Sequence, residues 1–144
     1  MTTQVLPNRS AQVDYSRLPR AVVLAAGISA IINTAIFVVG SALDLFPETV
    51  IIPAANQPMT VAPVIFATVF GVVAGAVVYA VLGRVVARPV QVFRILGIVV
   101  LVLSFGSPFS IPDAPAGMIA ALLVMHIVAG AAAIGVLTTQ AAKP

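Results

Sequence analysis

Four stretches of this chain are apolar enough, and long enough, to leave almost no choice of environment. They are Ala21 to Leu43, Ala62 to Gly83, Val90 to Phe109 and Ala116 to Thr138, and none contains Asp, Glu or Lys. A helix rises about 1.5 Å per residue, so about 20 apolar residues cross the hydrocarbon core of a bilayer. The rest of the chain has little with which to solvate such segments. Hydrophobic residues make up 61% of the whole and charged residues 8%, against about 25% charge in a soluble domain. The expected fold is an all-α membrane protein, an antiparallel four-helix transmembrane bundle. With no cysteine, disulfides, thiolate metal sites and dithiol redox chemistry are excluded.

Proline and charge placement fit four spans. All 11 prolines fall between or at the ends of the runs, where a missing N–H and a fixed φ do least harm to a helix. Arg9, Arg17 and Arg20 precede the first span, Arg84, Arg88 and Arg94 surround the short turn between the second and third, and Lys143 follows the fourth. The other two connections carry only Asp44, Glu48 and Asp113. All seven basic residues thus fall on one side, which the positive-inside rule makes cytoplasmic. The expected organisation is a cytoplasmic tail over residues 1–20, a transmembrane domain over 21–140 and a short cytoplasmic tail over 141–144, in a cell (inner) membrane. A cleaved signal peptide ending at Gly40-Ser41-Ala42 is the alternative for the first run, but that run is much longer than the usual 7–15-residue apolar core. The net charge of +3 is read as topology signal, with no nucleic-acid partner.

The connections differ in kind. "RVVARPVQ" is short and basic, so spans two and three form a tight antiparallel pair. The first outside loop holds two β-prone pieces, Thr49 to Ile52 and Met59 to Val61, around the turn-forming "PAANQP". A small β-hairpin and an irregular interfacial loop are both compatible with it. "FGSPFSIPDAPAG" is Pro/Gly/Ser-rich and extended, and the first 15 or so residues are expected to trail from the bundle.

Within a bilayer, helices associate by close packing of small residues and by interhelical hydrogen bonds. Gly71 and Gly75 form a GxxxG pair in span two, and Gly130 with Gly135 offers a similar surface in span four. These serve bundle packing or, on the sharper reading, homodimerisation. His126 and Asn33 each lie about ten residues from the outer end of their span, ~15 Å deep. Equal depth makes them candidate partners in an intramembrane polar site, with Thr34, Thr68, Tyr79 and Ser104 as further contributors. His126 either carries a proton or ligand, or is a neutral ring serving as interhelical glue. No other titratable group shares its depth, which weakens a proton relay, and one His without Cys, Asp or Glu makes no metal site. No catalytic residue, metal or cofactor is assigned. Arg84, Arg88 and Arg94 form a basic patch for topology or lipid headgroups.

The order of Asn33 in "INTAIFVVGSAL", "RPVQVFRI", "LVLSFGSPFSIPDAPAG" and "LLVMHIVAG" resembles a family of small bacterial four-helix integral membrane proteins catalogued only as a domain of unknown function. The resemblance implies a bacterial inner-membrane protein in which Asn33 and His126 are the positions to watch. It implies no activity, substrate or cofactor. The expected function is that of a non-enzymatic structural, interaction or sensor protein in contact with the bilayer, and with copies of itself or another membrane protein. A small carrier or channel subunit with His126 in the solute or proton pathway is the alternative.

Overall fold

The structure, a computed structural model, describes residues 11–53 and 55–143. Its helices are α1 (Leu18–Ala42), α2 (Val61–Val85), α3 (Pro89–Ser104), the single turn α4 (Gly106–Phe109) and α5 (Ala116–Gln140). With α4 prolonging α3, four helical segments are long and apolar enough to cross a membrane: Leu18–Ala42, Val61–Val85, Pro89–Phe109 and Ala116–Gln140. The chain is a multi-pass, all-α bundle. α1 and α3 stand at opposite corners, and α2 and α5 lie beside both and touch each other across the middle. Successive spans alternate in direction, so every side of the square is antiparallel.

Local sequence sets the helix ends. Pro19 and Pro89 lie in the first turns of α1 and α3, where their missing N–H has no helical partner anyway. α1 ends in a Schellman turn: Asp44 adopts φ 56°, its amide donates to Ser41 O at 3.2 Å, and the Leu45 amide donates to Gly40 O at 2.9 Å. That turn aims Leu45 and Phe46 back at the bundle. The loop beyond it carries a two-residue hairpin, β2 (Ile51–Ile52) with β3 (Gln57–Pro58), in which Ile51 pairs Pro58 and Ile52 pairs Gln57. β2 falls within the first β-prone piece, but β3 lies before Met59, in the stretch expected to be turn, because the turn closes tightly around Asn56 at φ 49°. Ala54 of "PAANQP" lies outside the described residues.

Two apolar clusters fill the interior. One, at the hairpin end, gathers Phe46, Val50, Val64, Met118, Leu122 and Met125. The other, at the basic end, gathers Val13, Ala21, Ala76, Tyr79, Phe93, Leu137 and Ala141. Large apolar side chains elsewhere, such as Val23, Ile31, Phe66, Phe70 and Leu103, point outward. In a bilayer that surface is the solvated one.

Val13 belongs to the basic-end cluster because the N-terminal segment does not trail. Residues 11–17 fold back as a strap across the basic end, while residues 1–10, including Arg9, lie outside the described residues. β1 (Gln12–Val13) pairs antiparallel with β4 (Ala142–Lys143), and the Asp14 amide donates to Ala141 O at 2.8 Å. Tyr15 donates its hydroxyl to Ala80 O at 2.9 Å and lies under the Arg84 guanidinium at 5.1 Å. The strap fits because Gly83 has no side chain. A Cβ there would stand 2.6 Å from Tyr15 Oη and 2.9 Å from Val13 Cβ. Gly83→Ala is therefore expected to lower stability in detergent by about 1–3 kcal/mol, the usual overpacking range, as read by denaturant unfolding. An Ala variant as stable as the wild type would contradict this fit.

Asp14 anchors the strap to α1. Its carboxylate accepts from the Ser16 hydroxyl at 2.6 Å and the Ser16 amide at 3.1 Å, with Arg17 Nε at 3.6 Å and Lys143 Nζ at 4.0 Å. The Ser16 hydroxyl first, then the Ser16 amide and the two cations, hold the carboxyl below its ordinary 3.8, against the opposing effect of burial. Folding thus favours the ionised form. The contribution is present above the ordinary value and is lost as pH falls through the lower folded-state value. A nitroxide label on Gln12 is expected to gain mobility as pH is lowered below 3.8. In Asp14→Asn the label is expected to be mobile already at neutral pH.

Candidate functional site

The polar residues of the spans form two groups. The first lies at the bundle centre, between the apolar clusters. Asn33 is 2% exposed. Its Nδ2 donates to Thr68 Oγ1 at 3.0 Å and to Met125 O at 3.2 Å, so one amide joins α1, α2 and α5. The amide's orientation follows from chemistry: Met125 O can only accept, so the nitrogen must face it. Ser29, one turn away on the same face of α1, is fully buried and returns its hydroxyl to Ala25 O at 2.6 Å.

The second group lies where α3 breaks. Pro108 has no N–H for the Ser104 carbonyl four residues earlier, and its ring crowds that oxygen. The helix stops at Ser104 and resumes at Gly106. The Ser107 hydroxyl supplies the missing donor, reaching Ser104 O at 3.0 Å. Ser104 and Ser110 bond locally, to Leu101 O and Ser107 O, each at 2.7 Å. His126 enters from α5. Its Nδ1 is 2.7 Å from Leu122 O and its Nε2 is 3.3 Å from Ser107 Oγ. A carbonyl cannot donate, so Nδ1 carries a proton.

Asn33 and His126 therefore do not bond to each other, contrary to expectation. Both lie at the level of residues 125–126, but successive residues on a helix point about 100° apart. Met125 O faces α1 and α2, whereas the His126 ring faces α3 and α4. Of the further candidate contributors, Thr68 joins Asn33, and Ser104 meets His126 only through Ser107. Thr34 takes part in neither group. Tyr79 is fully buried in the basic-end cluster, with its ring 4.8 Å from Phe93 and its hydroxyl 3.4 Å from Ala141 O.

The glycines divide likewise. Gly130 lets Leu101 of α3 close in, so that a Cβ there would stand 2.9 Å from Leu101 Cδ1, and Gly75 sits beside Phe93. Gly71 and Gly135 face outward, with nothing within 4 Å of a Cβ. The GxxxG pair is thus not one interface within the bundle, because the buried positions of α2 are Val64, Thr68, Val72, Ala76 and Tyr79. The three arginines at the basic end differ in their contacts. Arg84 lies on the strap's Tyr15, Arg94 Nε donates to Thr138 Oγ1 at 3.1 Å, and Arg88 has no partner among the described residues.

Sequence reading passed over Ser107 and Ser29. Ser107 falls in the stretch that reads as an extended connection, although a proline four residues after Ser104 marks a freed carbonyl and a serine beside it a ready donor. Ser29 carries no such signal, since its hydroxyl bonds its own helix. For the central tie, Asn33→Ala is expected to cost about 1–2 kcal/mol and Thr68→Val less, in line with hydrogen bonds measured inside membranes. Unfolding in bicelles checks this. Variants as stable as the wild type would remove the tie from the account.

The chain matches no curated protein and no solved structure. Residues 13–143, from the strap to its pairing strand, match the model of a family of unknown function, DUF6069, and the chain belongs to that family.

Proposed function

We propose that this is a non-enzymatic membrane protein of the bacterial inner membrane, a small sensor or interaction subunit, with both termini in the cytoplasm and the hairpin end outside. The observation that carries the reading is the contested proton of Ser107. Its hydroxyl has one hydrogen and two claimants, Ser104 O at 3.0 Å and His126 Nε2 at 3.3 Å. With a single ring proton, on Nδ1, Nε2 is an acceptor, and Ser107 must leave Ser104 O to satisfy it. With two ring protons, Nε2–H donates to Ser107, and Ser107 keeps Ser104 O. The protonation state of His126 therefore decides whether the broken end of α3 is capped.

The charged surroundings keep this exchange simple. Between Arg94 and Lys143 the one charged residue is Asp113, in the connection from α4 to α5. On α3, Arg94 is held by Thr138, and α4 and α5 carry no charged residue. The Asn33 tie, with apolar clusters above and below it, disfavours a solute path through the centre of one bundle, and nothing in the Ser107–His126 pair supplies an oxyanion-binding group for catalysis.

The test is amide hydrogen exchange over residues 104–111 in lipid nanodiscs as pH is lowered, corrected for the intrinsic pH dependence. Protonation of the ring is expected to change protection in the wild type and to leave His126→Phe flat. A wild type that follows the intrinsic rate alone would overturn the sensor reading. Proton or solute flux in liposomes that disappears in His126→Ala would replace it with a carrier.

A further inference from the structure

One polar atom at the bundle centre is left over. Asn33 Oδ1 is buried and accepts no hydrogen bond. Turning the amide over does not relieve it. Nδ2 already serves Met125 O and Thr68 Oγ1, and the reversed amide would set its oxygen against the Met125 carbonyl. The site thus requires a donor, and no described residue brings one.

Two neighbouring groups define what that donor must be. Ser29 lies one turn away on the same face of α1. Its proton goes to Ala25 O at 2.6 Å, which leaves the lone pairs of Oγ able to accept. Thr68 Oγ1 accepts from Asn33 at 3.0 Å, and its own proton meets no acceptor among the described residues. The centre therefore has one acceptor without a donor, Asn33 Oδ1, a second with lone pairs to spare, Ser29 Oγ, and one proton to give, at Thr68. A water molecule matches that balance, donating twice and accepting once, and three bonds are typical of a buried water. The Asn33–Thr68 and Asn33–Met125 contacts place Val72 of α2 and Ala129 of α5 level with Ser29, and neither is bulky. A fixed cation fits less well, because Met125 O and Thr68 Oγ1 are already engaged by Nδ2.

We infer that Ser29, Asn33 and Thr68 bind a single structural water at the centre of the membrane-spanning bundle, held by Asn33 Oδ1 as its principal acceptor. The reading is independent of the His126 proposal, since the two groups face opposite sides of α5.

Water-edited solid-state NMR of the full chain in bilayers, with labelled asparagine, tests it. Magnetisation is expected to pass from water to the Asn33 side-chain carbonyl in the wild type, and to weaken severalfold in a Ser29→Ala, Thr68→Val double variant. That variant keeps the Asn33–Met125 bond, so its Asn33 Nδ2 shift reports whether the bundle has folded. A structure at high resolution should place the water about 2.7–3.2 Å from Oδ1. A dry Oδ1 in the folded wild type overturns the inference, as does an Oδ1 paired to a protein donor. So does a thermal stability that rises in sodium chloride relative to choline chloride, which would assign the site to a cation.

Discussion

Hydrocarbon gives helices no hydrophobic reason to adhere, so the bundle depends on close packing and on the few polar bonds made inside it. The Asn33 amide is the central one. It fixes three helices at once, and it sets their register: with Asn33 level with Thr68 and Met125, Ala21 comes to lie with Ala76, Tyr79 and Leu137 at one end, and Phe46 meets Val64, Met118 and Leu122 at the other. Slipping any of the three helices by one residue would leave an amide in hydrocarbon and mismatch both clusters. α3 takes no part in that bond. It packs instead through glycine notches, Leu101 against Gly130 and Ile134 against Gly97, with only Pro89 and Phe93 buried along it. The helix that carries the Pro108 break is thus the one least held by the rest.

Architecture was legible because it follows from solvent. Runs long enough to span and free of acids and lysines fix number, length and alternation, and the observed helices depart from the expected spans by a few residues at most. The polar interior was legible in depth but not in direction. Distance along a helix gives depth at once, and Asn33 and His126 do lie at similar levels. Direction depends on rotation about each axis, and a helix apolar on every side gives no periodic signal from which to read it. Hence Asn33 and His126 were matched to each other when α5 separates them, and the outward Gly71 looked like its inward neighbour Gly75. The strap was illegible for a related reason. Val13 and Tyr15 form no periodic pattern, and their seat, Gly83, lies 70 residues away.

The two polar groups differ in what they leave open. At the centre, donors and acceptors are fixed by backbone oxygens, and the side chains have one arrangement. At the Pro108 break the carbonyl of Ser104 depends on a hydroxyl rotor, and a rotor can turn without moving a helix. Fixed groups hold register, and movable ones respond. In this fold the former sit among three closely packed helices and the latter beside the loosely packed fourth.

The pairing of β1 with β4 has a consequence for assembly. The two strands flank all four spans, so the ribbon cannot close until the last span has taken its place beside the first. Until then the notch at Gly83 stays open. The clasp thus joins the two ends of the bundle only when every span between them has been inserted.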